Sequence, residues 1–189
     1  MAAGSLRVVQ RFLLDSNVYD DLIGAPPVVD ALVELRRRRT IEPLIETHVQ
    51  RDELARKPEL LAARDALPAI LFMHTRAAAA VWGASRWGEG HWTVTPTSEF
   101  VLGVSRLDEA RLGNGQVLEA IRGDTRRENL NHARDALLMD TARAEGAVFV
   151  TNERRLLNRG TQLGLDVWPW ARFRDHIDQL LPEVTPPGA

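Results

Sequence analysis

Residues 135–153 read DALLMDTARAEGAVFVTNE, and this stretch decides the fold. Ala, Leu and Met dominate from Glu128 to Glu145, which predicts a helix. Gly146 is the natural residue to end it, because glycine adopts the left-handed backbone of a helix C-terminus without strain. Ala147 to Val150 is then a short apolar run of strand type, and Thr151-Asn152-Glu153 follows at once. Helix, glycine, buried strand and acid in this order are the parts of an α/β unit.

The same order recurs toward the start of the chain. Arg7 to Leu14 reads as a strand ending at Asp15, and Ser16-Asn17 opens a short helix through Ile23. Gly24 and Pro26-Pro27 stop it, and Val28 to Arg39 has apolar residues at helical spacing. Ile41 to Ile45 predicts a second strand. Thr47-His-Val-Gln50 matches a capping box, so a helix starts there and carries Glu53 until Pro58 breaks it. Glu59 to Leu67 predicts another short helix and Ile70 to His74 a strand. Near the end, Glu153 to Asn158 predicts one or two helical turns, Leu165 to Trp168 a last strand and Ala171 to Leu181 a last helix. Alternating strands and helices predict an α/β domain with a central parallel sheet of four or five strands and helices on both faces.

No linker or repeat divides residues 1–189, so one domain is expected. Within it, about 70–105 reads as a Trp-rich insertion around WGASRWGEGHW, and about 184–189 as a mobile tail. Ser105 to Ile121 has helical character interrupted by Gly113-Asn-Gly115. The tryptophans read as core packing or a partner surface rather than a base-stacking platform.

Composition narrows the chemistry. The 189 residues are 44% hydrophobic, enough for a real core. No apolar run approaches a membrane span, and MAAGSLRVVQRF lacks a signal-peptide pattern, so a soluble cytoplasmic protein is expected. There is no Cys, which excludes disulfides, thiolate zinc sites and a thiol nucleophile. Net charge is -2, so the chain as a whole has no basic footprint for nucleic acid. Lys57 is the only lysine.

Four acids stand out. Asp15 and Glu153 each follow an apolar strand, where ligands bind in open α/β sheets. For Asp15, the plain alternative is capping the next helix. Glu53 shares a helical face with Val49, and Asp52 is its rival. Asp135 lies on the long helix with Leu138, Met139 and Ala142 as neighbours. Asp140, five residues on, points away from Asp135 and reads as a salt-bridge or supporting position. Asp20, Asp21, Asp124 and Glu128 read as surface charges. His48 and His132 lie near these strings without the look of a general base. Hard divalent cations take oxygen ligands, which such carboxylates supply.

The strings LLDSNVY and DALLMDTARAEGAVFVTNE resemble those of the PIN-domain ribonuclease family. The resemblance covers about 7–23, 47–54 and 131–157. It implies a three-layer α/β/α fold, favours Glu53 over Asp52, and implies a site of Asp15, Glu53, Asp135 and Glu153. Asn17, Thr151, Asn152 and Asp140 would support it. Many family members have Asp where this chain has Glu153. The cofactor implied is Mg²⁺ or Mn²⁺ and the substrate single-stranded RNA, cut by metal-activated water. The chain is also similar to the virulence-associated protein C toxins of bacterial toxin–antitoxin pairs, though longer, which implies an antitoxin partner and a homodimer. A catalytically inactive PIN-like binding or scaffold module is the competing expectation. A haloacid-dehalogenase phosphatase needs a second Asp where Asn17 stands, and the glycine motifs of nucleotide-binding loops are missing.

Overall fold

The computed structural model describes residues 9–75, 77 and 130–181, of which 130–133 are described for the backbone only. The Trp-rich insertion apart from its first residues, the Ser105–Ile121 helix and the C-terminal tail lie outside the described residues. In chain order the elements are β1 (Phe12–Leu14), a 3₁₀ turn (Ser16–Val18), α1 (Tyr19–Ile23), α2 (Pro26–Arg37), β2 (Leu44–Glu46), α3 (His48–Leu54) and α4 (Pro58–Asp65). A second 3₁₀ turn (Ala69–Leu71) leads into β3 (Phe72–His74). Then come α5 (Leu130–Ala144), β4 (Val148–Val150), α6 (Arg154–Gln162), β5 (Val167–Trp168) and α7 (Trp170–Leu180).

The five strands form one parallel sheet in the order β3-β2-β1-β4-β5. β1 is central, with Leu13 opposite Ile45 of β2 on one side and Phe149 of β4 on the other. Successive strand residues face opposite sides of a sheet. Phe12, Leu14, Val148 and Val150 therefore pack into one core with residues of α1, α2 and α7. Leu13, Ile45 and Phe149 pack into the other with Ala136, Met139 and Leu156 from α5 and α6. All three residues of β1 are fully buried, as a strand covered on both faces must be.

Several boundaries differ from the sequence reading. β1 is shorter than Arg7–Leu14, with Gln10 making only an isolated bridge to Ile41. β2 begins at Leu44, just after Pro43, which lacks an N–H for the ladder. Pro26-Pro27 do not merely stop α1. They form the first turn of α2, where a missing N–H costs nothing. The capping box at Thr47 forms as predicted, with the Thr47 N–H donating to Gln50 Oε1 at 2.6 Å. Gly146 ends α5 at φ +59°, the left-handed value its place required.

α6 runs to Gln162, well past Asn158, and carries Gly160 in its interior. Packing explains this glycine. A Cβ there would lie 2.2 Å from Val167 Cγ2 and 3.1 Å from Met139 Cε, so its absence lets α6 lie flush on β5 and α5. Gly160→Ala gains about 1 kcal/mol of helix propensity but meets a stiff, branched neighbour. The substitution is expected to destabilise the protein by about 1–3 kcal/mol in urea unfolding. A variant at least as stable as the parent would refute this account.

Candidate active site

At the carboxyl edge of the sheet, the chain leaves β1 for β2 and β3 on one side, while β4 and β5 build the other. The crevice between β1 and β4 is the switch point at which open α/β sheets hold ligands. A cleft of about 540 Å³ opens there, lined by Asp15, Ser16, Asn17, Glu53, Asp135 and Glu153, with Leu54, Arg56, Lys57, Leu60 and Arg155 around them. The four acids singled out in the sequence thus come together from four separate elements.

Asp15 ends β1. Its N–H donates to Val150 O at 2.8 Å and prolongs the β1–β4 ladder. Its carboxylate is buried and accepts from Thr151 Oγ1 at 2.6 Å. Thr151 is itself fully buried, and its own N–H donates to Trp168 O of β5. Ser16 Oγ lies 3.4 Å from Asp15 Oδ1 and makes a short contact with Glu53 Oε2.

Glu53 is aimed by the start of α3. Besides closing the capping box, Gln50 donates through Nε2 to Leu14 O at 3.0 Å and Ile45 O at 3.3 Å. Its buried amide ties the helix to the ends of β1 and β2. Asp52, the rival acid, does not line the cleft.

Asp135 on α5 and Glu153 at the N-cap of α6 meet over one cation. Arg155 Nη2 lies 2.9 Å from Asp135 Oδ2, and its Nε lies 3.3 Å from Glu153 Oε1. Asn17 lines the cleft and accepts from the Asn152 N–H at 3.4 Å, linking the loops after β1 and β4. The Asn152 side chain faces elsewhere. It donates to Asp21 and accepts from the Trp170 N–H at the start of α7, so it is more than a turn residue. Asp140 is buried on α5 and does not itself line the cleft. His48 is buried, and it too is absent from the cleft wall.

The electrostatics are strained. Burial, opposed by the Thr151 hydrogen bond and reinforced by Glu53 and Glu153, raises the Asp15 carboxyl to about 6. Burial, with repulsion from Asp15 and Glu153, raises Asp135 to about 7 despite Arg155 beside it. Among the described residues, no three His, Asp and Glu side chains are disposed to hold an ion as they stand. Cleft acids instead rest on Ser16, Thr151 and Arg155.

A second acid went unnoticed in the sequence. Glu46 at the end of β2 is buried and takes two 2.7 Å hydrogen bonds from Arg64. Tyr19 Oη donates to it at 3.3 Å, and Arg64 stacks over the Phe72 ring at 3.6 Å. Burial, together with the neighbouring Glu46 carboxylate, drives the Tyr19 hydroxyl far above its ordinary pKa. This pair is outside the cleft and braces β2 against α1 and α4.

Compared with known proteins, the chain matches no family model and no curated relative. No helix among the described residues is long and apolar enough to cross a membrane.

The raised carboxyls make a stability prediction. Unfolded, Asp15 gives up its proton near 3.8, but folded it keeps the proton to about 6. Across that window the native state binds more protons, so stability is lost as pH rises. Asn at position 15 still accepts from Thr151 but carries no charge. Relative to Asp15→Asn, the wild type should lose on the order of 3 kcal/mol between pH 4 and pH 8 without added metal. Thermal unfolding of both proteins across that range checks it, and a constant difference between them would refute it.

Proposed function

We propose that this chain is a PIN-type endoribonuclease that uses Mg²⁺ or Mn²⁺ to hydrolyse single-stranded RNA. One observation carries the reading: Asp15, Glu53, Asp135 and Glu153 line one cleft at the switch point of a parallel α/β sheet. The sheet with helices on both faces is compatible with the three-layer fold of that family.

The donor set suits a hard cation. It is all oxygen: four carboxylates, the Ser16 hydroxyl and the Asn17 amide. The raised pKa values of Asp15 and Asp135 express a shortage of positive charge that a divalent ion would relieve. Bound there, Mg²⁺ or Mn²⁺ would lower the pKa of water and stabilise charge building on phosphate oxygens. The protein's part is positional. Thr151 fixes the Asp15 carboxylate, and Gln50 sets the helix that brings Glu53 in. Asp135 or Glu153 orients the attacking water. Arg56 and Lys57, exposed at the α3–α4 turn, put cations on the rim where a phosphate backbone would pass. The local basic rim is how a chain of net charge -2 would still take RNA.

Within this proposal the cleft belongs to a cytoplasmic protein, and the toxin role, the antitoxin partner and the homodimer rest on the family resemblance alone. The competing reading, a catalytically inactive PIN-like binding or scaffold module, draws on Glu153 standing where many members of that family have Asp.

Purified protein is expected to bind Mn²⁺ in titration calorimetry and to cut single-stranded RNA until EDTA is added. Asp135→Ala should lower cleavage at least about 100-fold while leaving the thermal unfolding cooperative. Absence of Mn²⁺ binding would favour the scaffold. Cleavage that survives both EDTA and Asp135→Ala would defeat the metal mechanism.

A further inference from the structure

We infer that Arg155 is the cleft's own counter-ion, a positioning residue that a divalent cation displaces from Asp135 and Glu153 and that then receives the substrate phosphate. This inference rests on the nuclease reading above and adds a residue to it.

Three observations converge on Arg155. Its guanidinium bridges the two late acids, at 2.9 Å from Asp135 and 3.3 Å from Glu153. It stands where a cation shared by those carboxylates would stand. Its side chain is also the outer partner of the pair, 45% exposed while Asp135 keeps only 14%. Its site on the first turn of α6 puts it on the cleft wall, so turning outward leaves it at the rim and not in bulk solvent. Among the described residues, the early acids have no such cation. Asp15 and Glu53 rest on the neutral hydroxyls of Ser16 and Thr151.

The chemistry separates two states. Without metal, one guanidinium offsets part of the negative charge of the two carboxylates it bridges. A divalent ion supplies twice the charge and prefers the same oxygens, so the two cations compete. Once freed, the planar guanidinium matches a phosphodiester's paired oxygens better than a carboxylate already bound to metal. Arg155 would therefore oppose metal binding and assist RNA binding, two effects of opposite sign from one side chain.

The test compares Arg155→Gln with Arg56→Gln, which removes the same charge from the same cleft wall. Mn²⁺ titration calorimetry is expected to give Arg155→Gln a Kd about five-fold below wild type, a size suited to losing a half-exposed ion pair. Arg56→Gln should shift it by less than about two-fold, because no ion pair competes there. In RNA cleavage, Arg155→Gln should raise KM several-fold more than it lowers kcat, with partial recovery in Arg155→Lys. Because Arg155 is exposed, thermal unfolding of the variant should match wild type and so exclude misfolding. Equal Mn²⁺ affinity in wild type and Arg155→Gln overturns the inference while the nuclease reading stands. Equal gains in both Gln variants also overturn it, leaving only general charge. Failure of every protein to bind Mn²⁺ removes the nuclease reading, and this inference with it.

Discussion

The hydrogen bond from Thr151 to Asp15 joins two residues 136 apart in sequence, and the site depends on it. Asp15 must be buried because β1 is the central strand and its residues feed both cores. A buried carboxylate without a partner is costly. The fold supplies one hydroxyl from the end of the neighbouring strand, together with the backbone pairing of Asp15 N–H to Val150 O. That is enough to hold the side chain in place and too little to offset its burial, which raises its pKa to about 6. Stability is given up at the carboxyl edge of the sheet, while Phe12–Leu14 and Val148–Val150 beneath it are apolar and buried. Local conflict inside an otherwise consistent structure is characteristic of functional sites.

The opposite treatment of Glu46 sharpens the contrast. It too is a buried acid at the end of a strand, but it receives a two-pronged guanidinium from Arg64 and a phenol from Tyr19. Arg64 is held in turn by the Phe72 ring. A buried pair of this kind does little for net stability, yet removing one partner would strand a charge. Its neighbours α1, α3 and α4 are thereby locked in register along the wall that carries Glu53. One acid is satisfied and serves the scaffold; the others are left short of positive charge and line the cleft.

Much of this was legible because it is local. A strand followed by an acid, Thr47-His-Val-Gln50 as a capping box, and a helix closed by Gly146 each depend on residues a few positions apart. The convergence of Asp15 and Glu153 follows from parallel strands ending at one edge. What was hidden depends on distant neighbours. No local pattern marks Arg64 and Glu46 as partners, because only the fold brings α4 to the end of β2. The length of α6 was obscured by Gly160, which breaks isolated helices and is required here by the approach of Val167. Pro26-Pro27 looked like a terminator, but they also form the first turn of α2. The second job of Gln50, bonding Leu14 and Ile45, cannot be read from a capping motif.

The division of the acids along the chain has a consequence for biosynthesis. Asp15 and Glu53 belong to the segment that builds β1, β2 and β3, which can pair as they leave the ribosome. Asp135 and Glu153 arrive only with α5 and β4, and until then the far edge of β1 has no strand beside it. A partly made chain therefore holds half a cleft, with Asp15 lacking the Thr151 hydroxyl. Whatever the four carboxylates do together is withheld until translation has passed β4.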